Sequence, residues 1–206
     1  MIKRLYGIPL YTLFHPVDGF YEMKHEKKGK RSIMIINLLL FWISFSFQKQ
    51  YTGFVMNENY PFSFNTFMDL LGLLLFFILW CVGNWSVTTL MGGEGKIKEI
   101  AMATAYALTP MILVFIPATI ISNFMINTEK EFYFMLLTIS IVWFSILLFI
   151  GIMSVHDYSV TKTVATIVLT FASMLVILFI ILLMTMLVQQ MYIFIRSIYI
   201  ELIYRV

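Results

Sequence analysis

A glycine-rich segment is the first place where residue types and spacing could support chemistry. The run Gly-Gly-Glu-Gly-Lys at positions 92–96 looks like a loop that holds phosphate groups. A phosphate-binding P-loop needs a glycine five positions before its Gly-Lys pair and a Ser or Thr directly after that pair. Leu90 and Ile97 occupy these two positions, so the pattern favours a flexible turn between two helices.

The three histidines, His15, His25 and His156, are the next candidates for chemistry. None has a second histidine or a cysteine at metal-ligand spacing, so we expect neither a metal site nor a cofactor site. Asp157 adjoins His156, but side chains of adjacent residues diverge along a helix and cannot form a catalytic pair by themselves. The dipeptide is expected to cap a helix end at the membrane surface, with a proton-linked or partner-contact role as the alternative.

Four polar residues, Asn84, Thr88, Thr109 and Asn123, lie within or at the ends of long apolar runs. Polar groups at membrane depth are costly, so each needs a reason. One interpretation is hydrogen bonding between helices. The other is a substrate or ion path through a small transporter or channel. An intramembrane enzyme is the weakest hypothesis, because no paired nucleophile and base and no two acids occur at depth.

The composition shows what kind of element must position these residues. The chain has 206 residues, of which 61% are hydrophobic and 12% charged, with a mean hydropathy of +0.90. Soluble domains have about 25% charged residues, so lipid must surround most of this protein. A large soluble catalytic domain is excluded by length, and a disulfide scaffold by the single cysteine, Cys81.

Five apolar stretches are long enough to cross about 30 Å of hydrocarbon as helices. They are residues 32–48, 70–89, 107–126, 133–155 and 164–187. The predicted fold is therefore an all-α, polytopic helical membrane protein with five transmembrane helices.

Amphipathic segments flank these spans. Helical spacing of apolar residues over 16–29, 97–108 and 188–206 predicts interfacial helices, the first with Val17, Phe20 and Tyr21 on one face. The expected organisation is a basic, amphipathic N-terminal segment at 1–31, a transmembrane domain at 32–187 and an amphipathic C-terminal tail at 188–206.

The basic residues predict how the chain is oriented. Residues 1–31 hold seven Lys or Arg against three acids. A cytoplasmic N-terminus places ten basic residues inside and four outside, as the positive-inside rule requires. An odd number of spans then puts the C-terminus outside. The basic segment is expected to contact anionic headgroups of the bilayer, whereas its interleaved acids argue against nucleic acid.

Four stretches of the sequence resemble the Yip-type (Ypt/Rab-interacting) membrane proteins in their short bacterial form. They are HPVDGFY at 15–21 with Lys24, NWSVTTLMGGEGKIKEIAMATAYALTP at 84–110, HDY at 156–158 followed by Lys162, and QQMYIFIRSIYIELIYR at 189–205. The resemblance implies five helical spans, a cytoplasmic N-terminus and an outer C-terminus. It also implies a location in the bacterial cytoplasmic (inner) membrane.

The resemblance carries only part of the family's function to this chain. Eukaryotic relatives act in ER–Golgi vesicle traffic and bind Rab-type GTPases through a longer N-terminal region. Residues 1–31 contain no Asp-Leu-Tyr-Gly-Pro motif like that of those relatives, so GTPase binding is not expected here. Some bacterial relatives resemble accessory partners of ABC-type transport systems.

The sequence therefore predicts a non-enzymatic scaffold or accessory protein that binds other membrane proteins, for example transporter subunits. A small transporter or channel is the alternative. The candidate partner-docking residues come from the elements expected at the cytoplasmic surface: Phe20, Tyr21, Lys24, Trp85, Gly93, Gly95, Lys96, Tyr106, Pro110, His156, Asp157 and Lys162. Among them, Phe20, Tyr21 and Tyr106 are expected to be aromatic anchors, and the lysines to steer the partner.

Overall fold

The computed structural model describes residues 7–57 and 65–204, and its regular structure there is helical. In chain order the helices are α1 Gly7–Phe14, α2 Pro16–Lys24, α3 Arg31–Tyr51, α4 Thr66–Leu90, α5 Ile97–Ala107, α6 Thr109–Ser122, α7 Lys130–His156 and α8 Val160–Tyr204, with a 3₁₀ turn at Asn127–Glu129 before α7. The predicted all-α polytopic fold is confirmed.

Five helical segments are long and apolar enough to cross a membrane. They are Arg31–Tyr51, Thr66–Leu90, Ile97–Ser122, Asn127–His156 and Val160–Tyr204. They correspond one to one with the five predicted spans. The boundaries differ by ten residues or more at one end of the third span and at one end of the fifth.

The connections between spans gather at two ends of the bundle. At one end, Lys24 of α2 contacts Asp157 and lies 3.6 Å from Glu94. We call this the glycine-turn end and define it by residues 15–30, 91–96 and 156–159. At the other end, which we call the distal end (residues 48–57, 65–69 and 119–133), Gln48 Nε2 donates to Tyr133 Oη at 2.9 Å. Successive spans therefore alternate in direction.

The third span differs from the sequence prediction. Residues 97–107 form the expected helix, but Ile100, Ala103 and Tyr106 are fully buried, so α5 packs inside the bundle and extends the span. α5 ends before Pro110, which has no N–H to donate to the Tyr106 carbonyl. The Thr109 hydroxyl donates to that carbonyl at 2.6 Å instead. The span therefore starts at Ile97 rather than at 107 and contains a break.

The last helix is longer than expected. α8 runs without interruption from Val160 to Tyr204, a length of about 68 Å at 1.5 Å per residue. The C-terminal tail expected from 188 onward is therefore a continuation of the fifth span rather than a separate helix. Residues 179–204 are exposed throughout, although Ile181 still borders an apolar groove with Leu71 and Leu75 of α4.

The N-terminal helices are also arranged differently from the prediction. α2 ends at Lys24, five residues before Gly29, and the three residues predicted to share one face do not share one environment. Phe20 is fully buried, whereas Val17 and Tyr21 are more than half exposed. The helix therefore packs onto the bundle through Phe20 alone of these three.

Small residues allow the helices to approach closely. A methyl group added at Gly151 of α7 would lie 3.3 Å from the Phe20 ring, and one added at Gly83 of α4 would lie 3.1 Å from Met174 of α8. Lipid provides no hydrophobic drive for helices to associate, so close contact at small residues is the usual source of packing energy in membranes. These contacts bring α2 onto α7 and α8 onto α4 at the glycine-turn end.

Candidate functional site

A chain of hydrogen bonds centred on His156 joins four elements at the glycine-turn end. The Gly95 backbone N–H donates to His156 Nδ1 at 3.3 Å, and the other ring nitrogen, Nε2, lies 3.3 Å from Asn84 Oδ1. Because a backbone N–H can only donate, Nδ1 carries no proton and Nε2–H donates to Asn84. Asn84 Nδ2 then donates to Thr170 Oγ1 at 3.1 Å. The imidazole is thus held neutral in one tautomer.

The glycines of the turn are needed because the chain passes directly over this histidine. A methyl group at Gly93 would lie 2.6 Å from both His156 Nδ1 and Tyr158 Oη. One at Gly95 would lie 2.7 Å from His156 Cε1. Gly92 has a φ of +66°, a left-handed conformation that favours glycine. The segment is a turn, as predicted, but one fitted against α7 and the residues after it.

Tyr158 connects this turn to the start of α8. Its ring stacks on His156 with the centroids 5.3 Å apart, and Lys162 Nζ lies 4.1 Å from the Tyr158 centroid. The Tyr158 hydroxyl donates to the Thr88 carbonyl at 3.4 Å, a long hydrogen bond. Burial raises the pKa of Tyr158 above its ordinary value, at which the phenol is already protonated and able to donate.

A charged rim surrounds the buried part of the site. Asp157 ends α7 with a φ of 52°, and its carboxylate contacts Lys24 and lies 3.5 Å from His25 Nε2. Partial burial acts to raise the pKa of Asp157, but the ammonium of Lys24 and the ring of His25 more than offset it and hold that pKa below its usual range. The rim thereby attaches α2 to the end of α7.

Several of the expected docking residues are part of the protein's own packing. Phe20 and Tyr106 are fully buried, and Tyr106 Oη accepts a hydrogen bond from the Lys30 backbone N–H at 3.0 Å. The role of aromatic anchor proposed for these two side chains does not fit their burial. Tyr21, Trp85 and Lys96 are exposed and remain candidates for contact with a partner.

The four polar residues considered for a transport path lie in three different places. Asn84 and Thr88 belong to the His156 site, and Thr88 Oγ1 donates to the Asn84 carbonyl at 2.8 Å. Thr109 accepts from Asn37 Nδ2 at 3.3 Å at the break between α5 and α6. Asn123 Nδ2 donates to the Tyr51 carbonyl at 2.9 Å at the distal end. The contacts of Asn84, Thr109 and Asn123 agree with hydrogen bonding between helices, whereas the Thr88 hydroxyl bonds within α4.

The sequence interpretation missed two residues that complete these contacts. Thr170 receives the hydrogen bond from Asn84, and Asn37 supplies the amide that reaches the Ala105 carbonyl at 3.3 Å. A signal for the first was present in the sequence: Thr163, Thr166 and Thr170 recur at helical spacing, and the structure places them on the buried face of α8. Asn37 stands alone within an apolar run, so its partner could not be inferred from spacing.

The chemistry available at this site is hydrogen bonding and charge pairing. Within residues 7–57 and 65–204, no group of three or more His, Cys, Asp or Glu side chains is placed to hold a metal ion. The His156 chain fixes four segments of backbone relative to one another. At its edge, Lys24, whose side chain is only 10% exposed, pairs with the more exposed carboxylates of Asp157 and Glu94.

Comparison with known proteins identifies the family. The family model described as the Yip1 domain matches residues 10–184, which include the N-terminal helices, the glycine turn, the His156 site and the bundled part of α8. No curated protein and no solved structure matches the chain. The matched region covers most of the sequence and contains the elements whose contacts are described above, so this multi-pass helical membrane protein belongs to the Yip1 domain family.

Proposed function

We propose that this protein is a non-enzymatic scaffold or accessory subunit that binds another integral membrane protein, such as a component of an ABC-type transport complex. Its setting would be the bacterial cytoplasmic membrane, with the N-terminus inside. The observation that carries the proposal is the exposed half of α8. Residues 179–204 are exposed, and most of them are large and apolar.

The length of α8 explains why this surface calls for a partner. The bundled part, residues 160–178, is about 29 Å long, which already matches a hydrocarbon core of about 30 Å. The remaining 26 residues, 179–204, would extend about 39 Å further if α8 stays straight. An apolar helix of that length is unfavourable in water, and an apolar surface of a second membrane protein would cover it.

The internal bonding of the glycine-turn end supports the non-enzymatic part of the proposal. His156 and Asn84 are the groups that most resemble catalytic side chains. His156 is already hydrogen-bonded to the Gly95 backbone, and Asn84 to Thr170. They are 2% and 0% exposed, so a substrate would have to displace these contacts to reach them.

Site-specific photocrosslinking in living cells tests the proposal. A photoreactive amino acid at Phe194, which is 66% exposed on the exposed half of α8, should give an adduct with one defined membrane protein. The matched control is Phe76, 58% exposed on the bundled part of α4, where the same probe should not yield that adduct. Loss of the partner's activity on deletion of this protein would complete the case. The proposal fails if both positions give lipid adducts or the unmodified chain alone.

A further inference from the structure

A groove with an apolar floor and a basic rim lies between α3, α4 and α5. Its volume is about 250 Å³, and its lining includes two cations, Arg31 and Lys98, above a floor of apolar side chains: Met34, Phe77, Ile78, Cys81, Val82, Ile97 and Ala101. No acidic residue lines it. We propose that this groove binds one anionic phospholipid, with the phosphate at Arg31 and Lys98 and an acyl chain along the floor.

The rim is placed at the level of the headgroups. Arg31 is the first residue of α3 and Lys98 the second residue of α5, and both helices begin at the glycine-turn end. Arg31 and Lys98 are both exposed, and neither forms an ion pair with another residue in the described part of the chain. Helix N-termini add a partial positive charge, so the rim attracts an anion through two side chains and two helix dipoles.

The floor of the groove continues into the depth of the membrane. Val82 and Ile78 lie eight and twelve residues before the end of α4 at Leu90, which puts them about 12 and 18 Å below that end. Phe77 also borders a second apolar cavity of about 280 Å³, lined in part by Trp80 and Phe171. The path from the rim is therefore basic first and apolar afterwards, which complements a phospholipid with an anionic headgroup and an apolar acyl chain.

The dimensions favour a lipid chain over a protein partner. A helix with its side chains is about 10–12 Å across, which is too wide for a slot of 250 Å³. By contrast, an apolar cavity of about 150 Å³ suffices to hold benzene, so this groove can take a segment of acyl chain. Bilayer lipid is also the apolar molecule present in excess at this depth. This assignment is independent of the proposed partner of α8, because it involves other helices.

Lipid binding to the purified full chain tests the headgroup half of the assignment. Delipidated protein in detergent would be titrated with phosphatidylglycerol or phosphatidylcholine of identical acyl chains and followed by native mass spectrometry. We expect the anionic lipid to bind about tenfold more tightly, and Arg31→Gln/Lys98→Gln to remove that preference. Lys27→Gln/Lys96→Gln removes the same charge at the same end outside the groove and should keep it.

Each alternative result overturns the assignment. Equal binding of the two lipids by the unmodified protein excludes recognition of the headgroup charge. An equal loss in both double variants means that the basic surface attracts lipid without a site. An unchanged preference in Arg31→Gln/Lys98→Gln places the lipid elsewhere.

Tryptophan quenching tests the acyl half. In a variant with Trp42→Phe, Trp85→Phe and Trp143→Phe, Trp80 is the sole tryptophan. Brominated phosphatidylglycerol at low mole fraction should quench its fluorescence more than brominated phosphatidylcholine does. Adding Arg31→Gln/Lys98→Gln should make the two lipids equal. Equal quenching before that change would show that no anionic lipid places its chain between α3 and α4. Circular dichroism of every variant checks that the helices are retained.

Discussion

The two ends of the bundle connect their spans in different ways. At the glycine-turn end a neutral histidine lies under a glycine turn, and a charged rim surrounds it. At the distal end the buried Tyr133 hydroxyl bonds Gln48 and Thr52, at 2.9 and 3.1 Å. The buried contacts of the first end depend on backbone shape and on a histidine, whereas those of Tyr133 at the second end are uncharged hydrogen bonds.

Both ends nevertheless use a glycine for close approach and an ion pair at the edge. At the distal end the Gly53 backbone N–H donates to Ser122 Oγ at 2.9 Å, and Lys49 Nζ lies 2.6 Å from Asp69 Oδ1. The difference is that His156 accepts from one segment and donates to another, so a single side chain links the turn to α4. Substitutions that break the buried contacts of His156 should therefore have larger effects than substitutions at the distal end.

The largest effect is expected for Gly93→Val. The added side chain would overlap His156 Nδ1 and Tyr158 Oη, so the turn must move and the hydrogen bonds of His156 are lost. We expect a loss of about 3 kcal/mol in the free energy of unfolding. The measurement is denaturation in mixed detergent micelles. Gly72→Val is the matched control, since nothing lies within 4 Å of that position, and it should change little.

His156→Leu is expected to have the next largest effect. Leucine fills similar space but leaves the Gly95 N–H and Asn84 Oδ1 without their partner, which costs about 2 kcal/mol. Adding Asn84→Leu should cost less than the sum of the two single changes, because both act on one chain of hydrogen bonds. Strict additivity in this double-mutant cycle would show that the chain is not formed.

At the distal end, Tyr133→Phe should cost less. The substitution removes only the hydroxyl that Gln48 and Thr52 share, and Thr52 Oγ1 keeps its second partner, the Gln48 carbonyl. We expect a loss of about 1 kcal/mol. A loss as large as that of His156→Leu, measured under the same conditions, would remove the distinction between the two ends.

The smallest effect is the pH dependence of the Lys24–Asp157 contact. The pKa of Asp157 lies below its usual range in the folded protein, so its stabilising contribution is present above about pH 4 and is lost as pH falls through the folded value. Because the carboxylate is 43% exposed, the contribution should stay below about 1 kcal/mol.

Asp157→Asn isolates this contribution. Asparagine tolerates the left-handed backbone at this position, so the turn is kept while the charge is removed. Unfolding of the two proteins would be compared between pH 6 and pH 3. The difference between them should shrink toward low pH, and a difference that stays constant would mean that the charge of Asp157 does not stabilise the fold.

The spans could be predicted from composition because each apolar run needs lipid along its length. The apolar run at 164–187 was predicted as a helix, but the continuation of that helix to Tyr204 was not, because the tail's polar residues suggested a separate surface helix. α5 was predicted as a helix, but its burial was not. Its small residues, such as Ala103 and Ala107, allow contact on several sides, which spacing alone does not reveal.

The candidate site could be predicted only in part. The glycine turn, Asn84 and the His-Asp dipeptide were all singled out by type and position, but as separate features. That Gly95 donates to His156, and His156 to Asn84, depends on residues 61 and 72 positions apart along the chain. Phe20 is buried because it packs against Gly151, which lies on a helix far along the sequence, so its burial could not be predicted either.

The sequence by itself determined that lipid surrounds the helices, how many helices can cross the membrane and that successive spans alternate in direction. These properties follow from local hydropathy and length. The tertiary structure decided which polar groups meet and which aromatic residues are internal. Such contacts join segments that are distant in sequence, and their geometry is set by helix packing at small residues such as Gly83 and Gly151. The sequence shows where each glycine is, but it does not show which distant residue packs against that glycine.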